Sequence, residues 1–151
     1  MSKEFAQLLK PIKQEKPFSC GPASLTMLLN CYGFSYKEKD LVRELDVTEE
    51  GVDWWSIVEY LENRNLDYGY ATKAPYRELH SVYKIYQAPI LIAWNPTHRD
   101  GYDHFSVVRE VTANRIILAD PAIGQYVDLG RDDFENHWYG GGKIRPYLYL
   151  K

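Results

Sequence analysis

The first half of the chain carries apolar residues at helical spacing. The segment 21–33 has Pro22 in its first turn, leucines recurring every three or four positions, and a closing Gly33. This pattern predicts a buried helix, because proline is tolerated in a first turn and glycine commonly ends a helix. Cys20 then lies at the N-terminus of that helix.

Three further helices are predicted before residue 90. Ser35 begins the second, with Glu38 three residues later in the position of a capping box. Asp53 caps a third helix, which ends at 63–65, and Pro75 opens a fourth. Each has apolar residues along one side, which indicates that it packs on a core.

Short runs rich in β-branched and aromatic residues dominate the sequence after Pro89. Such runs are typical of strands, and here they are ILIAW, HFSVVREV, IILAD, QYVDL and KIRPYLYL. Helices that precede a run of closely connected strands predict an α+β fold with an antiparallel sheet. We therefore expect one domain over residues 1–151, with its helical N-terminal half packed on a sheet from the C-terminal half.

Composition and charge narrow the class of protein. Hydrophobic residues make up 45% of the 151 positions, which is core material rather than disorder. A net charge of −3 lacks the basic excess of nucleic-acid binders. No apolar run approaches the roughly 18 residues of a membrane span, and the charged N-terminus lacks a secretory signal. These features predict a cytoplasmic protein without nucleic-acid binding or membrane insertion.

The two cysteines are not expected to form a disulfide. If residues 20–31 are helical, the Cα atoms of Cys20 and Cys31 lie roughly 16 Å apart, whereas a disulfide needs less than about 7 Å. Unpaired cysteines suit a reducing compartment.

Candidate chemistry centres on Cys20. A helix N-terminus favours the thiolate, which is the nucleophilic form of cysteine. His104 heads a predicted strand and can serve as the base, and Asp120 closes the partner strand, so an antiparallel pair brings the two together. The backbone N–H of Cys20 and the amide of Gln14 can stabilise an oxyanion.

These residues and their surroundings resemble a known family. The segments QEKPFSCGPASL with Cys20, DHFSVV with His104 and DPAIG with Asp120 are similar to those of the bacteriocin-processing cysteine peptidases, over about 11–140. Those are papain-like domains that are fused to peptide-exporting ABC transporters or stand alone. The resemblance implies a stand-alone papain-like peptidase for double-glycine-type leaders or other peptides and proteins, with no cofactor.

The resemblance also implies a role for each site residue. Cys20 would be the nucleophile of a thiol protease, His104 the general base and then acid, Asp120 the residue that orients the imidazole, and Gln14 part of the oxyanion hole. Tyr102 and Trp138 lie near the predicted strand ends and are weaker candidates for binding substrate.

Several of these residues also have a purely structural interpretation. Cys31 is interpreted as a buried core residue. His98 is an alternative to His104 as the base, but it is interpreted as a solvated loop residue. Asp120 before Pro121 is a common turn signal, and Gln14 fits a surface amide. A zinc site is not favoured, since no closely spaced ligand pair such as CxxC or HExxH occurs.

Two other functions are compatible with the same residues. An acyltransferase or transglutaminase-like enzyme uses Cys, His and Asp in this chain order to pass an acyl group to an amine or thiol. A non-catalytic peptide-binding module would keep the fold without turnover. Oligomeric state is not readable from the sequence.

Overall fold

A computed structural model describes residues 4–97, 103–139 and 144–151. A short 3-10 helix, Phe5–Leu8, precedes the regular elements. The helices are α1 Cys20–Asn30, α2 Glu38–Glu44, α3 Trp54–Asn63, α4 Tyr76–Tyr86 and α5 Arg131–His137. The strands are β1 Tyr68–Ala71, β2 Ile90–Trp94, β3 His104–Val111, β4 Arg115–Asp120, β5 Gln125–Gly130 and β6 Tyr147–Leu150.

The strands form one six-stranded sheet in the order β1-β6-β2-β3-β4-β5. Every neighbouring pair is antiparallel. The predicted α+β class with an antiparallel sheet is confirmed, and β2, β3 and β4 follow one another in the chain as neighbours. Hairpin connections of this kind place the start of β3 near the end of β4.

The central strand β2 is buried on both faces, and its side chains pack alternately into two hydrophobic cores. Leu91 and Ala93 pack with the leucines of α1 and with residues of α3. Ile90, Ile92 and Trp94 pack on the opposite face with residues of α4 and α5. The sheet is therefore covered by helices on both sides, and α1 lies directly against it.

Gly21 allows a close approach at the start of α1. A Cβ atom at this position would collide with the side chain of Val52 and would also contact Phe105. The segment before α3 can therefore pack tightly against the first turn of α1, and residues of this segment line the groove described below.

Local signals located some helix ends and misplaced others. The side chain of Asp53 accepts a hydrogen bond from the N–H of Ser56 at 2.8 Å, which confirms the predicted cap of α3. The capping box predicted at Ser35 and Glu38 is wrong. The helix α2 begins only at Glu38, where Asp40 accepts from the N–H of Lys37 at 2.9 Å.

The sequence patterns missed two elements. Strand β1 lies in the helical first half and pairs with β6, and α5 interrupts the strands of the second half. No helix in the described part of the chain is long and apolar enough to cross a membrane.

Candidate active site

Cys20 is the first residue of α1. The helix is anchored there by a hydrogen bond from the N–H of Ala23 to the carbonyl of Ser19 at 2.9 Å. The first N–H groups of a helix have no partner within it, so they favour negative charge nearby. The Cys20 thiol is partly exposed, which suits a nucleophile that must reach a substrate.

His104 and Asp120 meet where β3 begins and β4 ends. The Nε2 atom of His104 lies 2.5 Å from Oδ1 of Asp120, and both residues are buried. The same Oδ1 accepts a hydrogen bond from the N–H of Ala122 at 3.0 Å. Asp120 is therefore both a turn residue and the partner of the imidazole.

The surroundings of His104 favour its protonated form. Burial lowers the pKa of the imidazole, but hydrogen bonds to Asp120 and Cys20 and the negative charges of both outweigh that effect. Together they raise the pKa of His104 to about 9. Because Nε2 faces Asp120, Nδ1 is the nitrogen left to face the sulfur of Cys20. The three predicted residues thus form one continuous chain of contacts.

Trp94 packs against the imidazole and was not among the predicted site residues. Its ring centroid lies 6.1 Å from that of His104, at an angle of 48°. The indole Nε1 donates to the hydroxyl of Ser106 at 3.0 Å, which fixes the ring. The strand register pairs Trp94 with His104, so sequence analysis could have found this contact only with the β2–β3 register in hand.

Gln14 lies in the loop that leads into α1. Its backbone N–H donates to the carbonyl of Pro121 at 2.8 Å, which ties this loop to the turn after Asp120. Its side-chain Nε2 donates to the carbonyl of Lys16 at 2.8 Å. An amide nitrogen carries two hydrogens, and this hydrogen bond uses one of them.

A groove of about 480 Å³ opens beside Cys20. It is lined by Pro17 and Phe18 from the loop before α1, by the segment 48–53, and by Asp103 and Phe105 around the start of β3. The charged side chains that line its described part are all acidic: Glu49, Glu50, Asp53 and Asp103.

The second cysteine is placed very differently. Cys31 is buried, and its sulfur donates to the carbonyl of Met27 at 3.3 Å. Burial raises the pKa of its thiol to about 11, partly offset by the charge of Arg109. Both cysteines are free thiols.

Trp138, a weaker candidate for binding substrate, lies in the core and away from the groove surface. Trp138 is fully buried, packs on Phe134 at 5.4 Å between ring centroids, and donates from Nε1 to the carbonyl of Pro146 at 3.2 Å. A side chain without exposure cannot contact a bound peptide, so this placement gives Trp138 a packing role. Tyr102 and His98 lie outside the described residues. Within the described ranges, no three His, Cys, Asp or Glu side chains are placed to hold a metal ion.

Solved structures share this fold. The peptidase domain of Streptococcus ComA, a bifunctional ABC transporter of a quorum-sensing pathway, superposes with a TM-score of 0.77 at 22% identity, covering 94% of this chain and 97% of that domain. A double-glycine-motif protease from an AMS/PCAT transporter, solved with its leader peptide, gives a TM-score of 0.73 at 21% identity, covering 95% and 91%.

Sequence comparison identifies the family. An uncharacterised protein of Methanothermobacter marburgensis is 25% identical over 129 residues, which span 85% of this chain and 82% of that protein. The sequence profile of the Peptidase C39 family matches residues 9–142. This match takes in the whole segment from Gln14 to Asp120, and the chain belongs to the Peptidase C39 family.

Proposed function

We propose that this protein is a cysteine peptidase that cleaves peptide bonds through a thioester at Cys20. The observation that carries the proposal is the chain of contacts from buried Asp120 through buried His104 to the partly exposed Cys20, which lines an open groove. Family membership and fold both support a cysteine peptidase.

The first half of the reaction forms the acyl-enzyme. The Cys20 thiolate attacks the scissile carbonyl carbon, and the carbonyl oxygen takes up the displaced electron pair. The backbone N–H of Cys20 and the free N–H of Gln14 stabilise this oxyanion. His104 then gives its proton to the leaving amine as the C–N bond breaks.

The second half of the reaction restores the enzyme. His104, now neutral, takes a proton from water, and the resulting hydroxide attacks the thioester carbonyl. The C–S bond breaks, and Cys20 leaves as a thiolate beside the reprotonated imidazole. Asp120 keeps Nε2 engaged throughout, so Nδ1 faces the reacting atoms in both halves.

A peptide is the substrate class that the groove supports. The relative from the AMS/PCAT transporter was solved with a leader peptide, and an open groove beside the nucleophile suits an extended chain. We propose that this protein likewise takes a peptide or an exposed protein segment, which lies in the groove that Cys20 lines.

Hydrolysis can be distinguished from acyl transfer with a peptide library. We expect the purified protein to release free carboxyl termini, read by mass spectrometry, and to keep doing so when an amine such as glycinamide is present in excess. Amidated products in place of acids would indicate an acyltransferase. Saturable peptide binding without any product would indicate a binding module and contradict the proposal.

The acidic lining predicts a preference for cationic peptides. Peptides with Lys or Arg beside the scissile bond are expected to show kcat/KM about 5-fold to 20-fold above matched peptides with Glu, since each exposed ion pair contributes up to about 1 kcal/mol. The preference is expected to shrink as salt screens the charges.

Paired neutral variants test which carboxylates cause that preference. Exchanging Glu49 and Glu50 together for Gln is expected to reduce the Lys-over-Glu ratio severalfold. The control exchanges Asp132 and Asp133 on α5 for Asn, which changes the net charge equally at residues that do not line the groove. An equal reduction in the control would show that overall charge, rather than the groove, sets the preference.

A further inference from the structure

Glu38 is a buried carboxylate that the reaction described above does not use. It is 6% exposed at the start of α2, on the side that faces the loop before α1. Buried glutamates are rare unless paired. No salt bridge reaches Glu38 from the residues that the structure describes, so its partners are uncharged donors.

Those donors belong to the two ends of one loop. Oε2 of Glu38 accepts the backbone N–H of Glu15 at 2.9 Å and the hydroxyl of Ser19 at 3.0 Å. Glu15 directly follows Gln14, and Ser19 directly precedes Cys20. One oxygen atom therefore holds the backbone neighbours of both the proposed oxyanion donor and the proposed nucleophile.

The interior of the loop is tied to the same carboxylate. The hydroxyl of Ser19 also accepts the N–H of Lys16 at 3.0 Å, and the carbonyl of Lys16 accepts the Gln14 amide at 2.8 Å. Contacts thus run from Glu38 through Ser19 and Lys16 to the side chain of Gln14. A shift of the carboxylate would move both ends of the loop.

This carboxylate is held at an electrostatic cost. Burial raises the pKa of Glu38, the hydrogen bonds from Glu15 and Ser19 lower it in part, and the charge of the Glu15 carboxylate raises it again. Burying a charge without a cation is costly, and hydrogen bonds are then what compensates it. Here those bonds all go to the loop that carries the site.

We propose that Glu38 is a positioning residue that sets the spacing between the Gln14 amide and Cys20. The inference rests on the proposed peptidase function, because Gln14 matters only if an oxyanion forms beside Cys20. Glu38 itself touches no reacting atom, and it acts through the backbone of the loop.

Two substitutions at Glu38 separate positioning from charge. Glu38→Ala removes the shared oxygen and is expected to lower kcat by about 10-fold to 100-fold, because a displacement of a catalytic group by about 1 Å can lower the rate that much. Glu38→Gln can keep an oxygen at the same place for both donors, and we expect it to retain kcat within about 5-fold. The matched control is Glu44→Gln on the same helix, which contacts Arg64 and Tyr60 instead and is expected to keep the parent rate.

Two further measurements test whether the loss of kcat in Glu38→Ala comes from displacement of Gln14. KM and the rate of Cys20 alkylation by iodoacetamide are expected to change less than about 3-fold in Glu38→Ala, since alkylation needs the thiolate but no oxyanion donor. In a Gln14→Ala background, Glu38→Ala is expected to cost little more, because both changes disable the same group. Full additivity, or a loss of alkylation parallel to the loss of kcat, would overturn the proposal.

Thermal melts check that each variant folds, and a second variant replaces Glu38→Ala if that protein does not fold. If Glu38→Ala does not fold, Ser19→Ala cuts the same chain of contacts while leaving the carboxylate and the Glu15 bond in place. A folded Ser19→Ala or Glu38→Ala protein with the parent kcat contradicts the inference but leaves the peptidase intact. Absence of hydrolysis in the parent protein instead contradicts the proposed function itself.

Discussion

Replacing Cys20 by alanine is expected to lower kcat/KM for peptide hydrolysis by at least about 10⁴-fold. The substitution removes the atom that forms the thioester and leaves His104 without a nucleophile to pair with. The side chain is partly exposed at a helix N-terminus, so the fold is expected to stay intact. The measurement is the rate of cleavage of a fluorogenic peptide, with a thermal melt to confirm folding.

Cys31 supplies the matched control. Its thiol is buried with a pKa of about 11, so Cys31→Ala is expected to retain hydrolysis. In the folded parent protein, one equivalent of iodoacetamide is expected to add at neutral pH, on Cys20 alone. Residual cleavage at the parent rate in Cys20→Ala, or labelling that moves to Cys31, would contradict the assignment of the nucleophile.

Much of the site follows from local sequence signals. A cysteine before Gly21 and Pro22 predicts a thiol at the start of a helix, and α1 begins at Cys20. The hairpin between two β-rich runs predicts that His104 and Asp120 are neighbours, and they lie in hydrogen-bond contact. Both inferences use spacing along the chain, which fixes geometry within one helix or one hairpin.

Features that depend on packing between distant segments escaped prediction. Glu38 reads locally as part of a capping box, whereas in the fold its carboxylate turns toward a loop some twenty positions earlier. Trp94 and Trp138 are both tryptophans near strand ends and both belong to the same core, yet Trp94 also packs against the imidazole, whereas Trp138 packs on Phe134. Amphipathic patterns cannot separate these cases, because burial against a helix and burial against a site look alike in sequence.

The pH profile is expected to report the contact between Asp120 and His104. In the parent protein, kcat/KM is expected to fall as the pH rises through about 9, because His104 then loses the proton that the leaving amine needs. Asp120→Ala removes the first contact that raises this pKa, so the alkaline limb is expected to move to lower pH by at least about one unit. We expect kcat to drop by roughly 10²-fold to 10³-fold.

Asparagine at position 120 separates the hydrogen bond from the charge. Oδ1 accepts from both His104 and Ala122, and an asparagine oxygen can accept from the same two groups, so Asp120→Asn is expected to lose less kcat than Asp120→Ala.

The pH dependence of the free energy of unfolding gives an independent measurement of the contact between Asp120 and His104. A His104 pKa raised from 6.5 to about 9 contributes stability that is complete below pH 6.5 and is lost as the pH rises through 9. Urea unfolding at pH 6 and pH 9.5 is therefore expected to show a smaller pH difference in Asp120→Ala than in the parent. An unchanged alkaline limb together with an unchanged stability difference would mean that Asp120 serves only the turn.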